Sequence, residues 1–173
     1  MPKNNFQKTV FGLLMSYIMA YGMEVYNIAI KMGFNLKPGG LSSMTNAVFS
    51  EALKEASFMG LIVFIISSLY GNRCGAAFAN KHCRESEDNP YFCCIMRQAG
   101  TVAVMCPSMS LVASILFSVI ADGEPVYNLP AIWAGTVIKN FPMAFFWNMF
   151  AAAPLTRAVF SILFKERKKS KKS

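Results

Sequence analysis

Charge is what this sequence has least of. Only 15% of its 173 residues are Asp, Glu, Lys or Arg, against about 25% in ordinary soluble domains. There are nine acidic residues and one histidine, His82. A lone histidine outside the apolar segments excludes a histidine-based dyad or triad within them. No glycine-rich phosphate loop is present. The five cysteines, Cys74, Cys83, Cys93, Cys94 and Cys106, have no spacing that a structural zinc site uses. The sequence therefore points to no enzyme, no cofactor and no metal, and four of these cysteines are expected to be reduced thiols in a cytoplasmic loop.

Apolar residues fill the space that charge leaves. They make up 54% of the chain, with 15 Phe, 12 Met and a mean hydropathy of +0.38. Such a composition excludes disorder and a collagen-like chain, and argues against a soluble globule. Gln98 to Ala121 carries no charge over 24 residues, and Ala56 to Asn72 carries none either. Val10 to Ile30 holds only Glu24, and Pro125 to Thr156 only Lys139. A helix needs roughly 20 mainly apolar residues to cross a hydrocarbon core about 30 Å thick. The expected fold is an all-α integral membrane bundle with spans at about 9–31, 47–71, 98–121 and 130–153. The first run is too long for a signal-peptide core and no small-x-small cleavage site follows it, so an uncleaved span is expected.

The net charge of +8 resolves into an orientation. Thirteen of the 17 basic residues flank the outer ends of the spans or lie between the second and third. These are Lys3, Lys8, Arg73, Lys81, Arg84, Arg97, Arg157 and six in the tail from Lys165 to Lys172. Basic loops stay cytoplasmic, so both termini are expected inside. The tail at 165–173 resembles a nucleic-acid arm in composition only. Beside a span it reads as a topology signal and an anchor for anionic lipid.

The chain also reads as a duplication. An offset of 90 places Met15 on Met105, Met19 on Met109 and Gly33 on Gly123. An offset of 84 places Ala47 on Ala131, Met59 on Met143 and Arg73 on Arg157. The expected organisation is a first two-helix repeat at 1–80, a cytoplasmic linker at 81–97, a second repeat at 98–164 and the basic tail. With two spans each, the repeats run parallel about a pseudo-twofold along the membrane normal.

The run from Asn140 to Arg157, with Ala153-Pro154-Leu155 followed by Arg157, resembles the end of a bacterial two-pass membrane family, domain of unknown function 2798. The stretch from Phe11 to Ser16 is similar to that family's opening helix. The first half departs from the pattern, with Tyr70-Gly71 in place of Pro-Leu. The resemblance implies two copies of the unit and a place in the bacterial inner membrane. It implies no activity.

Small and polar residues recur every fourth position on each span: Gly12, Ser16, Ala20, Glu24; Ala52, Ala56, Gly60, Phe64, Ser68; Cys106, Ser110, Ser114, Ser118, Asp122; Thr136, Asn140, Ala144, Asn148, Ala152, Thr156. Small residues let backbones approach in lipid, so these stripes are expected to face the bundle interior. A carboxylate within a span costs a few kcal/mol and faces the interior or water. Glu24, with Asn27 on its face, is thus a candidate ion site. Glu55 and Lys139, equivalent under the duplication, are a candidate inter-repeat ion pair. The simpler alternative is that these charges reach the outer headgroups. Ser114, Ser118, Asn140 and Asn148 either hydrogen-bond between helices or line a polar path. The expected function is a small transporter or channel for a cationic or polar solute, acting as a homo-oligomer or with a partner membrane protein. The alternative is a non-catalytic membrane subunit or adaptor that packs on a partner.

Overall fold

The computed structural model describes residues 4–32, 44–84 and 88–164. Four long helices carry the fold: α1 Asn5–Lys31, α2 Ala47–His82, α3 Pro90–Ala121 and α4 Val126–Leu163. They contain 27, 36, 32 and 38 residues. At about 1.5 Å per residue even the shortest reaches about 40 Å. All four are long and apolar enough to cross a membrane. Residues 33–43 and the basic tail at 165–173, with the lipid-anchor expectation attached to it, lie outside the described residues.

Helices two to four outrun the expected spans. α2 continues past residue 71 to His82, and α3 starts at Pro90 rather than 98, so most of the expected linker at 81–97 is helical. α4 likewise runs ten residues beyond 153, to Leu163. Hydropathy marks only the part of a helix that fits the bilayer. The polar turns from Asn72 to His82 pack on α3. Local chemistry fixes the ends. Asn89 caps α3 by accepting the Tyr91 N–H at 2.9 Å, and Pro90 occupies the first turn, where its missing donor costs nothing. Gly123 turns the chain from α3 towards α4 at φ +71°, where a side chain would be strained.

Three helices contain π turns: Ser67–Gly71 in α2, Ser114–Ala121 in α3 and Asn148–Ala152 in α4. Each adds a residue to the turn and rotates the face that follows. The α4 turn runs straight into Pro154, whose missing N–H suits a broken ladder.

The helices are arranged in a ring, each packed on its chain neighbours, with α4 returning to α1. The packing is inverted relative to a soluble bundle. Val48 and Thr156 are the largest side chains that are fully buried. Phe58, Leu61, Ile65, Leu69, Ile138, Phe146, Phe150 and Ile162 lie on the outside. Alanines line the seams instead. Ala20 and Ala56 join Met59 in one cluster, Val48 and Ala52 meet Ile28 in a second, and Ala144 meets Val102 and Cys106 in a third. Burying small residues and exposing large ones has no hydrophobic reward in water. In lipid the outer face costs nothing and close backbone approach supplies the attraction.

Candidate ion site and polar seam

The position of Glu24 follows from how α1 is held on both sides. Towards α2, the Tyr17 hydroxyl donates to the Ser57 carbonyl at 3.3 Å. Its ring covers Gly60, where a Cβ would stand 2.6 Å from the ring edge. Towards α4, Trp147 Nε1 donates to the Ile18 carbonyl at 3.1 Å, and its indole lies against Gly22. Nearer the other end, the Tyr26 hydroxyl donates to the Lys139 carbonyl at 3.2 Å. The last bond sets Lys139 and Asn140 level with the Glu24 turn.

Glu24 is only 6% exposed, so it does not reach out to headgroups. Its carboxyl lies within hydrogen-bonding reach of the Glu55 carboxyl from α2 and interacts electrostatically with Lys139 from α4. Glu55 is half-buried and Lys139 lies on an exposed flank. Of the candidate inter-repeat pair, Glu55 therefore touches Glu24, whereas Lys139 acts on it through its charge. α2 and α4 are diagonal in the ring, and α1 is the element adjacent to both. Two unit charges 4 Å apart repel by about 4 kcal/mol at an effective dielectric near 20. Ionised carboxylates are acceptors only, so a hydrogen bond between two of them needs a proton. A contact between Glu24 and Glu55 is thus favourable when a proton or another cation lies between them.

The other candidates divide into satisfied and unsatisfied groups. Ser114 donates to the Ser110 carbonyl of its own helix at 2.7 Å, so its hydroxyl is spent locally. Ser118 is half-buried. Asn140 and Asn148 are each 6% exposed, and both Oδ1 atoms are buried with no hydrogen-bond partner. The same holds for Oδ1 of Asn27, one turn from Glu24 on the same helix. An unsatisfied buried acceptor costs about 1–3 kcal/mol. Ser114 and Asn148 also begin the π turns of α3 and α4.

Sequence reasoning missed two features. Tyr26 and Trp147, which set the register of α1 on α4, carry no motif. The second lies at the ends of α2 and α3, where Cys83 and Cys93 are joined in a disulfide with Cα atoms 5.5 Å apart. The expectation of free thiols there is corrected for this pair. Two helix ends meet, which residue spacing alone does not reveal. Beside it, Arg157 Nη2 of α4 donates to Cys94 Sγ at 3.3 Å. His82 is exposed, its ring held by Phe78 of the preceding turn. Among the described residues no three His, Cys, Asp or Glu side chains gather in one place.

Fold and site together define a polytopic α-helical protein with a charged cluster inside its bundle. Residues 97–164, most of α3 and all of α4, match the family described as a domain of unknown function (DUF2798). No curated protein and no solved structure matches the chain.

Proposed function

We propose that the protein is a small transporter in which Glu24 is the ion site and the buried carboxamides of Asn27, Asn140 and Asn148 mark the solute's route. One observation carries this reading. A carboxyl is held inside the bundle against a second carboxyl and an ammonium, although burying it costs a few kcal/mol that simple packing would avoid. Unpaired acceptor oxygens nearby give a donor-bearing or cationic solute somewhere to bind. The basic residues set both termini in the cytoplasm, with the tail on anionic lipid. The two halves are parallel copies of one unit, and the setting is the bacterial inner membrane. Because the bundle is sealed with small residues, several copies or a partner complete the path.

The test uses the purified full chain in vesicles that trap a pH dye. With the wild type, adding a monovalent salt outside is expected to drive protons across, and Glu24→Gln is expected to abolish the signal. Equal silence from wild type and variant, with a second membrane protein co-purifying, would replace transport with the adaptor reading.

A further inference from the structure

The charge inventory of the cluster goes a step beyond transport itself. Glu24 and Glu55 bring two negative charges and Lys139 one positive. From α3, the element that completes the ring, there is no charged residue between Arg97 and Asp122, and Cys106, Ser110 and Ser114 are its buried members on that face. Tyr21 and Tyr26 flank Glu24 on α1. Lys54 and Glu51 of α2 are exposed, as is Lys31 at the end of α1. With both carboxyls ionised the cluster therefore holds one net negative charge. One added proton cancels it, and so does one added monovalent cation. Both together, or one divalent cation, leave a net positive charge. Net charge is what a low-dielectric interior penalises most. Only the two singly occupied states are neutral.

We propose that the Glu24–Glu55–Lys139 cluster exchanges one proton for one monovalent cation held by oxygen donors, so that turnover carries no net charge. This rests on the transport reading above. In the exchange, the carboxyl O–H bond shared by Glu24 and Glu55 breaks and its proton leaves to water. The cation takes its place between carboxylate oxygens. Oδ1 of Asn27, on the turn beside Glu24, and Oδ1 of Asn140, next to Lys139, complete the oxygen set. Asn140 is more than nine-tenths buried with that oxygen unpaired, which packing alone leaves unexplained. Oxygen donors of this kind suit an alkali ion or an ammonium group.

The experiment measures proton release from dye-loaded vesicles against cation uptake, with sodium and methylammonium as separate probes. Whichever probe is taken up, the wild type is expected to release one proton per cation. Its final cation gradient is expected not to respond to an imposed potential. Movement of one net charge would shift that gradient about fiftyfold per 100 mV. Lys139→Gln leaves two negative charges, which one divalent cation cancels. That variant is expected to gain calcium binding that the wild type lacks. A Glu24-dependent exchange in the wild type that follows the potential overturns this inference and leaves the transport reading standing. So does calcium binding no stronger in folded Lys139→Gln than in the wild type. Absence of any cation-driven proton movement in folded wild-type protein overturns both readings. If Lys139→Gln does not fold, the potential dependence of the wild type decides alone.

Discussion

Replacing Gly22 with alanine tests how α1 is fitted to α4. A Cβ at Gly22 would fall on the five-membered edge of the Trp147 indole, at Cε2 and Nε1. The ring has little freedom to retreat, because Nε1 is bonded to the Ile18 carbonyl at 3.1 Å. Overpacking of this kind costs about 1–3 kcal/mol. Losing the indole hydrogen bond adds about 0.6 kcal/mol in a membrane setting. Alanine's better helix propensity returns up to about 1 kcal/mol. The net expectation for Gly22→Ala is a loss of about 1–3 kcal/mol. Gly135→Ala is the control, since a Cβ there meets nothing within 4 Å. It gains propensity alone, so the two alanine variants should differ by about 2–4 kcal/mol. Denaturant unfolding in detergent micelles, followed by tryptophan fluorescence, reads this difference. Trp147→Phe in the Gly22→Ala background should recover part of the loss. If Gly22→Ala proved as stable as Gly135→Ala, the close fit of indole on glycine would be refuted.

Two further outcomes follow from buried groups. Asn148→Leu removes an acceptor that has no partner, so unfolding in micelles should show it unchanged or stabilised by about 1 kcal/mol, while solute flux in vesicles falls; a clear loss of stability would mean that Asn148 is a packing hydrogen-bonder. Alkylation of denatured, unreduced protein should label Cys74, Cys94 and Cys106 and spare Cys83 and Cys93 until reductant is added, and five labelled thiols before reduction would remove the α2–α3 link.

The interior stripe was legible because four-residue spacing tracks one face of a helix as long as the helix remains α. Ser16, Ala20 and Glu24, Ala52, Ala56 and Gly60, Cys106, Ser110 and Ser114, and Asn140 through Thr156 in steps of four are all buried. The spacing fails at two of the three π turns and holds through the third, where Asn148, Ala152 and Thr156 stay buried. Ser68 lies inside the π turn Ser67–Gly71 and is exposed, and Asp122 follows the π turn Ser114–Ala121 and is exposed too. At those two turns the next side chain is rotated off the stripe, and nothing in the composition announces it. Helix ends were misjudged for a related reason. Hydropathy reports where lipid is, whereas the backbone ladder continues into polar sequence as long as α2 and α3 pack on each other.

The charged cluster shows where such reading ends. Sequence alone named Glu24 as a candidate ion site and Glu55 with Lys139 as a candidate pair and left open which of them touch, because position along a helix is a local property and contact across a bundle is not. Under the proposed duplication Glu24 corresponds to Ser114, Glu55 to Lys139 and Ala56 to Asn140. A strictly symmetric bundle would carry the same charge twice about its axis. Here one half supplies two carboxyls and the other supplies an ammonium and unpaired carboxamides, and the ring order brings all of them to α1. The divergence at Glu24 and Ser114 and at Ala56 and Asn140 lies on buried faces, while Glu55 is half-buried and Lys139 exposed. Packing would have been satisfied by alanine at each of these sites, as it is at Ala20, Ala52 and Ala144. Charge in their place costs stability, and that cost is what separates a site from a seam.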